Sequence, residues 1–357
     1  MNKIITIVGA RPQFVKAATL SRQFRLLGID EKIIHTGQHF DANMSEVFFE
    51  EMEIPTPAYQ LDIHGVSHGA MTGRMLESIE NILMKEKPEG VLVYGDTNST
   101  LAGALAAAKL HIPVIHVEAG LRSFNMKMPE EINRILTDRI SNVLFCPTET
   151  AVKNLKNEGF ANMPVKIIKN GDVMQDAAIF YAAKAEEKST IFKTINLPRF
   201  ILATIHRQEN TDSPENLRNI IEGLNQINKQ IPVVVPVHPR TRNILTQLNI
   251  VPKFRMIDPV GYFDMIMLLK SCELVITDSG GVQKEAYFFG KHCITLREQT
   301  EWIELVGNDF NRLVGSDKNQ LYAAFEYFSN KHSDFSLDLY GKGKAAEFAA
   351  KEIYKMG

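Results

Sequence analysis

Three carboxylates stand where apolar strands give out. "VLVYGD" ends on Asp96, "PVIHVEAG" runs into Glu118, and "PEEINR" opens a helix with Glu130 beside Glu131. A carboxylate at the end of a buried strand is costly unless it has a partner. It is either salt-bridged for structure or aimed at a ligand. Asp96 also suits a turn, and Glu130 and Glu131 suit a helix start electrostatically. Arg122, four residues after Glu118, is a candidate structural neighbour for it. If Asp96, Glu118 and Glu130 converge, they raise one another's pKa and become acid/base pairs. "ATIHRQEN" places His206 and Arg207 after a strand of the second half, where they could face those carboxylates across a cleft.

A second chemistry is anion binding. In "TDSGGVQKEA" a strand ends at Asp278, Ser279 can cap the next helix, and Gly280 and Gly281 allow close approach to backbone N–H groups. The stretch reads as a diphosphate cradle or as a capped tight turn. Glu285, one turn in, could hold a ribose hydroxyl or be a solvated surface residue. "VGARPQFVKAA" is another strand–loop–helix, with Pro12 in the first helical turn and Arg11 and Lys16 able to point at a ligand. It is neither a P-loop nor a GxGxxG fingerprint, so ATPase and dehydrogenase chemistry are not indicated. The pairs His35/His39 and His64/His68 have i,i+4 spacing, but glycine interrupts both, so no metal site is expected, nor any other cofactor.

The elements that must position these residues alternate. Apolar strands such as "KIITIVGA", "GVLVYGD" and "NVLFCPT" are separated by helical stretches such as "STLAGALAAAKLH" and "PEEINRILTDRI". "PVVVPVHP" and "LVITDSGG" repeat the scheme in the second half, where the Met and Phe stripes of "YFDMIMLLK" and "AYFFG" read as core. The pattern predicts an α/β fold of two doubly wound domains with parallel sheets, residues 1–172 and 173–337, with the seam near "KNGDVMQDA". In such folds ligands bind beyond the carboxyl ends of the strands, where the motifs above lie. At 357 residues two domains are expected. A net charge of −2 gives no electrostatic case for nucleic acid. No apolar run is long enough for a membrane span. Three widely spaced cysteines without a CxxC argue for free thiols in a reducing, cytoplasmic setting.

"GARPQFVK", "GDTNSTLAG", "HVEAGLRS", "PEEINR", "HRQEN", "TDSGGVQKEA" and "NRLVG" occur in order over nearly the whole chain. Together they resemble the non-hydrolysing UDP-N-acetylglucosamine 2-epimerase family. The resemblance implies a GT-B-like fold of two Rossmann-like domains with a UDP-sugar in the central cleft. It also implies a C-terminal helix, 338–357, packed back on the first domain, and a homodimer. It implies interconversion of UDP-GlcNAc and UDP-ManNAc through loss of UDP to a 2-acetamidoglucal. By motif, Asp96, Glu118, Glu130 and His206 correspond to catalytic positions. Arg11, Lys16, Arg134, Arg207, Ser279, Gly280, Gly281, Glu285 and Arg312 correspond to ligand contacts. Gln13 stands where better-known members carry glutamate, and Lys284 and "LREQTEWIELV" depart from their "TTERPE" form. This variant form also resembles relatives acting on UDP-2,3-diacetamido-2,3-dideoxy-glucuronate, so the sugar stays open. A hydrolysing epimerase, a GT-B glycosyltransferase and a UDP-sugar-binding sensor are the competing readings.

Overall fold

The computed structural model describes residues 1–38, 49 and 53–357. His39, of the His35/His39 pair, lies outside the described residues. The chain divides into two compact units, Met1–Ala177 with Asp338–Gly357, and Ala178–Leu337.

The first unit is built on strands β1 (Lys3–Val8), β2 (Asp30–His35), β3 (Tyr59–Gln60), β4 (Gly90–Tyr94), β5 (Val114–Val117), β6 (Val143–Cys146) and β7 (Lys166–Lys169). All pair in parallel, in the order β3-β2-β1-β4-β5-β6-β7. Strand β4 is buried at every residue, because helices cover both faces of a parallel sheet and its sequence alternates nothing polar in. The second unit repeats the plan with β8 (Ile201–Thr204), β9 (Val233–Pro236), β10 (Arg255–Ile257), β11 (Val275–Thr277), β12 (Cys293–Thr295) and β13 (Asn311–Leu313). Its order is β10-β9-β8-β11-β12-β13, again all parallel. The two-residue period of a strand divides its core: Ile201 and Ala203 pack with Leu217, Ile220 and Leu224, and Phe200 and Leu202 pack with Leu268 and Leu269. The structure is an α/β fold of GT-B type.

In both sheets the order reverses once. In the first the reversal falls between β1 and β4, and in the second between β8 and β11. There the connections leave to opposite faces, and the loops after the two strands open a crevice at their carboxyl ends. The loops concerned carry Gly9–Arg11 and Gly95–Thr97 in one unit, and Ile205–Arg207 and Asp278–Gly281 in the other.

The ends of the chain are tied into the first unit. The Met1 ammonium donates to the carbonyls of Ile353 and Tyr354 at 3.0 and 2.9 Å. The helix Ala345–Tyr354 begins with the N–H groups of Ala345 and Ala346 on the Asp176 carboxylate, at 3.1 and 2.7 Å. Among the described residues no helix is long and apolar enough to cross a membrane. Cys146, Cys272 and Cys293 are free and buried.

Candidate active site

The crevice of the first unit holds a compact set of charges. Glu118 follows β5 with φ of +72°, a left-handed conformation that is uncommon for a side chain larger than glycine and recurs at functional positions. Its carboxylate is ion-paired with the Lys16 ammonium, and both side chains are buried. Gly95, at the end of β4, has φ of +61°, and a Cβ there would lie 3.2 Å from Glu118 Oε2 and 3.3 Å from Lys16 Nζ. Glycine suits both the turn and the close passage of this pair.

Asp96 comes next, half-buried, with its Oδ2 accepting from Arg134 Nε at 3.1 Å. Loss of solvation raises its carboxyl above the ordinary aspartate value. Arg134 opposes this, Glu118 adds to it, Lys16 opposes, and Glu130 adds. Glu118 and Glu130 are thus both within electrostatic reach of Asp96. The two adjacent glutamates of "PEEINR" separate in role. Glu130 is exposed on the first turn of the helix Pro129–Ile140. Glu131 is buried and accepts from Ser123 N, Phe124 N and Arg134, so it braces the loop after Glu118.

Arg122 is not the neighbour of Glu118. It binds Asp138 at 2.7 Å and lies against both Glu158 oxygens at 2.7 and 2.8 Å, while Lys16 from the helix Arg11–Leu27 takes Glu118. Asp138 also meets His116 Nδ1 at 2.7 Å. Burial raises the Asp138 carboxyl, but His116 and Arg122 outweigh this and hold it below its ordinary value. Arg11 opens its helix, and its side chain lies outside the described residues.

In the second unit the crevice is organised by Asp278, fully buried after β11. Its carboxylate accepts from the backbone N–H groups of His206 and Arg207 at 3.0 Å each and from Asn210 Nδ2 at 3.2 Å, and it lies 2.9 Å from His206 Nδ1. These donors hold the Asp278 carboxyl below its usual value against the opposing effect of burial. The His206 ring is half exposed, so its other nitrogen is presented outward. Ser279 caps the helix Gly280–Phe288 through Val282 N at 3.4 Å. Among the described residues, a Cβ on Gly281 would meet nothing within 4 Å. A Cβ on Gly280 would lie 3.9 Å from Arg297 and Glu301; free first-turn amides of such a helix are what an anion site uses.

Behind that turn lies a buried polar layer that the sequence did not announce. Gln283 Oε1 accepts from Thr300 and Asn311 at 2.8 and 3.0 Å. Arg297 pairs bidentately with Glu301 at 3.1 Å, and Lys284 lies 3.9 Å from the centre of the Trp302 ring. Glu285 is buried too. Arg312 is not brought to the Ser279 turn. It packs its guanidinium over Tyr327 at 3.3 Å and pairs with Asp309 at 3.4 Å. Asp278 was legible only as a strand end; its aspartate–strand–histidine pairing across "IHRQEN" and "ITDSGG" needs the adjacency of β8 and β11 to be seen. Among the described residues no group of acidic, histidine and cysteine side chains could hold a metal ion.

The family model described as UDP-N-acetylglucosamine 2-epimerase matches residues 25–354. The chain belongs to this family, whose members are isomerases. It is 56% identical to the UDP-2,3-diacetamido-2,3-dideoxy-D-glucuronate 2-epimerase of Pseudomonas aeruginosa, over 99% of this chain and all of that one. It is 44% identical to the UDP-N-acetylglucosamine 2-epimerase of Methanocaldococcus jannaschii, over 97% of each. The crystal structure of the Methanocaldococcus jannaschii UDP-GlcNAc 2-epimerase in complex with UDP-GlcNAc and UDP superposes with a TM-score of 0.91, covering 99% of this chain and all of that one.

Proposed function

We propose that this epimerase inverts C2 of a UDP-2-acetamido sugar by elimination and re-addition of UDP. The C2 proton has no adjacent carbonyl to acidify it, so the anomeric C1–O bond must break with or before its removal. A carboxylate takes the C2 proton, the C1–O electrons leave with UDP, and a C1=C2 double bond forms. A proton returned to the opposite face of C2 and re-addition of UDP at C1 complete the inversion. Asp96, Glu118 and Glu130 supply the carboxylates. His206 and the amides of the Gly280 turn, with Ser279 and Gly281, stabilise the departing diphosphate. Arg134 and Lys16 keep the carboxylates aimed, Glu285 holds the ribose, and Arg11 and Arg207 complete the ligand contacts. The observation that carries this reading is the Lys16–Glu118 pair packed against the Asp96 turn at the sheet's reversal.

The sugar we assign is UDP-2,3-diacetamido-2,3-dideoxy-glucuronate, on the 56% identity to the Pseudomonas aeruginosa enzyme and on the Lys284 and "TEWIE" departures. UDP-GlcNAc is the second reading, favoured by the archaeal enzyme at 44%. The protein acts as a homodimer in this reading; the exposed Ile132 and Leu136, one turn apart on the helix Pro129–Ile140, are consistent with a covered face.

Proton NMR of each UDP-sugar with the protein in D2O tests the proposal. The expected result is the C2 epimer carrying deuterium at C2, with faster turnover on the diacetamido-uronate. Free sugar and UDP would indicate the hydrolysing reaction. Absence of C2 exchange with both sugars, while UDP still raises the Tm, would overturn the epimerase reading.

A further inference from the structure

Strand β4 carries Asp96 out of the sheet, and its ladder with β5 ends at the pair Tyr94–Val117. Past that point the neighbouring strands no longer supply donors for its carbonyls. Three successive carbonyls are nevertheless bonded, each by a side chain from a different element. Tyr94 O accepts from Gln13 Nε2 at 2.8 Å, out of the first turn of the helix Arg11–Leu27, and also from Thr100 Oγ1 at 2.6 Å, a hydroxyl to which Gln13 Nε2 donates in turn at 2.9 Å. Gly95 O lies 2.8 Å from His116 Nε2, out of β5. Asp96 O accepts from Asn133 Nδ2 at 2.9 Å, out of the helix Pro129–Ile140.

Each donor is itself fixed. Gln13 Oε1 accepts from Gly9 N and Ala10 N at 2.9 and 3.0 Å, so its amide orientation is determined and it ties the loop after β1 to the loop after β4. His116 is anchored at Nδ1 by Asp138. A carbonyl oxygen can only accept, so His116 Nε2 is the donor in this contact. Asn133 reaches Asn98 Oδ1 at 3.3 Å as well, and it stands one residue before Arg134, which holds the Asp96 carboxylate from the same helix. Gln13, His116 and Asn133 are all buried.

We infer that Gln13, His116 and Asn133 form a three-point clamp on the Tyr94–Asp96 backbone and act as positioning residues for the Asp96 carboxylate. Two rotatable side-chain bonds separate that carboxylate from its backbone, so its aim is only as exact as the turn. A displacement of the order of 1 Å at a reacting group lowers a rate by on the order of 100-fold. The departure at Gln13 then has a physical meaning. An ionised glutamate could accept from Gly9 and Ala10 but could not donate to Tyr94 O, whereas the amide does both. The clamp holds the peptide units, and Arg134 holds the charged end.

The inference rests on the reading of Asp96 as a reacting group, and the test separates the two. Steady-state kinetics and Tm are measured for Asn133→Ala, Gln13→Met, Asp96→Asn and the core control Ile79→Val, which touches none of these residues and trims a side chain buried in the same unit. Asn133→Ala and Gln13→Met are expected to lower kcat by about 10- to 100-fold with KM changed less than about threefold. Ile79→Val should lose comparable Tm and keep kcat within about twofold. If Asp96→Asn turns over like the wild type, the catalytic reading of Asp96 falls and the clamp falls with it. If Asp96→Asn is inactive while folded Asn133→Ala and Gln13→Met keep wild-type kcat, the clamp alone is overturned. Should Gln13→Met not fold, Asn133→Ala decides, since it removes one amide and leaves the β1 loop intact.

Discussion

Asp278 Oδ1 lies 2.9 Å from His206 Nδ1, across the reversal of the second sheet, with the His206 ring half exposed and Asp278 wholly buried. The carboxylate fixes which ring nitrogen faces inward, and so which one faces a substrate. Asp278→Asn disturbs this in a defined way. The Asp278 oxygens face donors only, and an asparagine NH2 must point at one of them. The position by Nδ1 is the one that can yield, because the ring can exchange its tautomer. The variant is therefore expected to leave Nε2 protonated and outward, and to lower kcat by on the order of 100-fold. Nitrogen-15 NMR of the His206 ring, read beside kcat, checks both. An unchanged tautomer with wild-type kcat would remove His206–Asp278 from the mechanism.

Gly95→Ala should be more harmful than its size suggests. An alanine at φ of +61° is strained, and its methyl would stand 3.2 and 3.3 Å from the ends of Glu118 and Lys16. We expect a stability loss of about 1–2 kcal/mol and a fall in turnover as the ion pair is pushed aside. Urea denaturation and the C2 exchange rate measure the two effects. A variant within about 0.5 kcal/mol of the wild type and fully active would show that the turn has room to adapt.

Strand ends and helix starts were readable because their signals are local. Asp96, Glu118 and Ser279 each end or open an element whose apolar run or cap is contiguous in the chain. The short strands Tyr59–Gln60, Arg255–Ile257 and Asn311–Leu313 carry two or three residues each, and their identity comes from the ladder beside them rather than from composition. Partner choice was the other blind spot. Sequence spacing offered Arg122 to Glu118, yet the turn after β5 sends Arg122 away from the crevice to Asp138 and Glu158, and Lys16 arrives from 102 residues earlier. Nothing local in "GARPQFVK" marks that pairing. The same holds for His116, an ordinary strand residue until β4 lies beside it.

Arg122 should therefore be a stability residue. It is buried, and it neutralises Asp138 and Glu158 together. Arg122→Met leaves two carboxylates without their shared cation, one of them fully buried, and removal of one partner of a buried pair costs about 3–5 kcal/mol. The expected phenotype is a large loss in urea midpoint, with kcat per folded molecule reduced much less than by Glu118→Gln. If Arg122→Met were stable and selectively inactive, Arg122 would belong to the active site after all.

Asp176 gives the pH-dependent prediction. Its carboxylate caps the last helix through Ala345 N and Ala346 N, which favours the ionised form. Burial is the larger effect and raises its pKa from 3.8 to about 6. The folded protein thus holds this proton more tightly than the unfolded chain does. Between pH 4 and pH 6 the native state binds more protons than the unfolded state, and the linkage relation makes stability fall as pH rises. The contribution is full below the unfolded value, declines through that window, and is constant above it. A rise from 3.8 to about 6 corresponds to about 3 kcal/mol. Asp176→Asn has no such titration. The stability difference, wild type minus variant, should therefore drop by about 2–3 kcal/mol from pH 4 to pH 7, and amide exchange in the helix Ala345–Tyr354 should report the same trend. A difference that stays flat would mean that the two N–H bonds offset burial, and one that grows with pH that they outweigh it and that the carboxylate is a net asset when ionised.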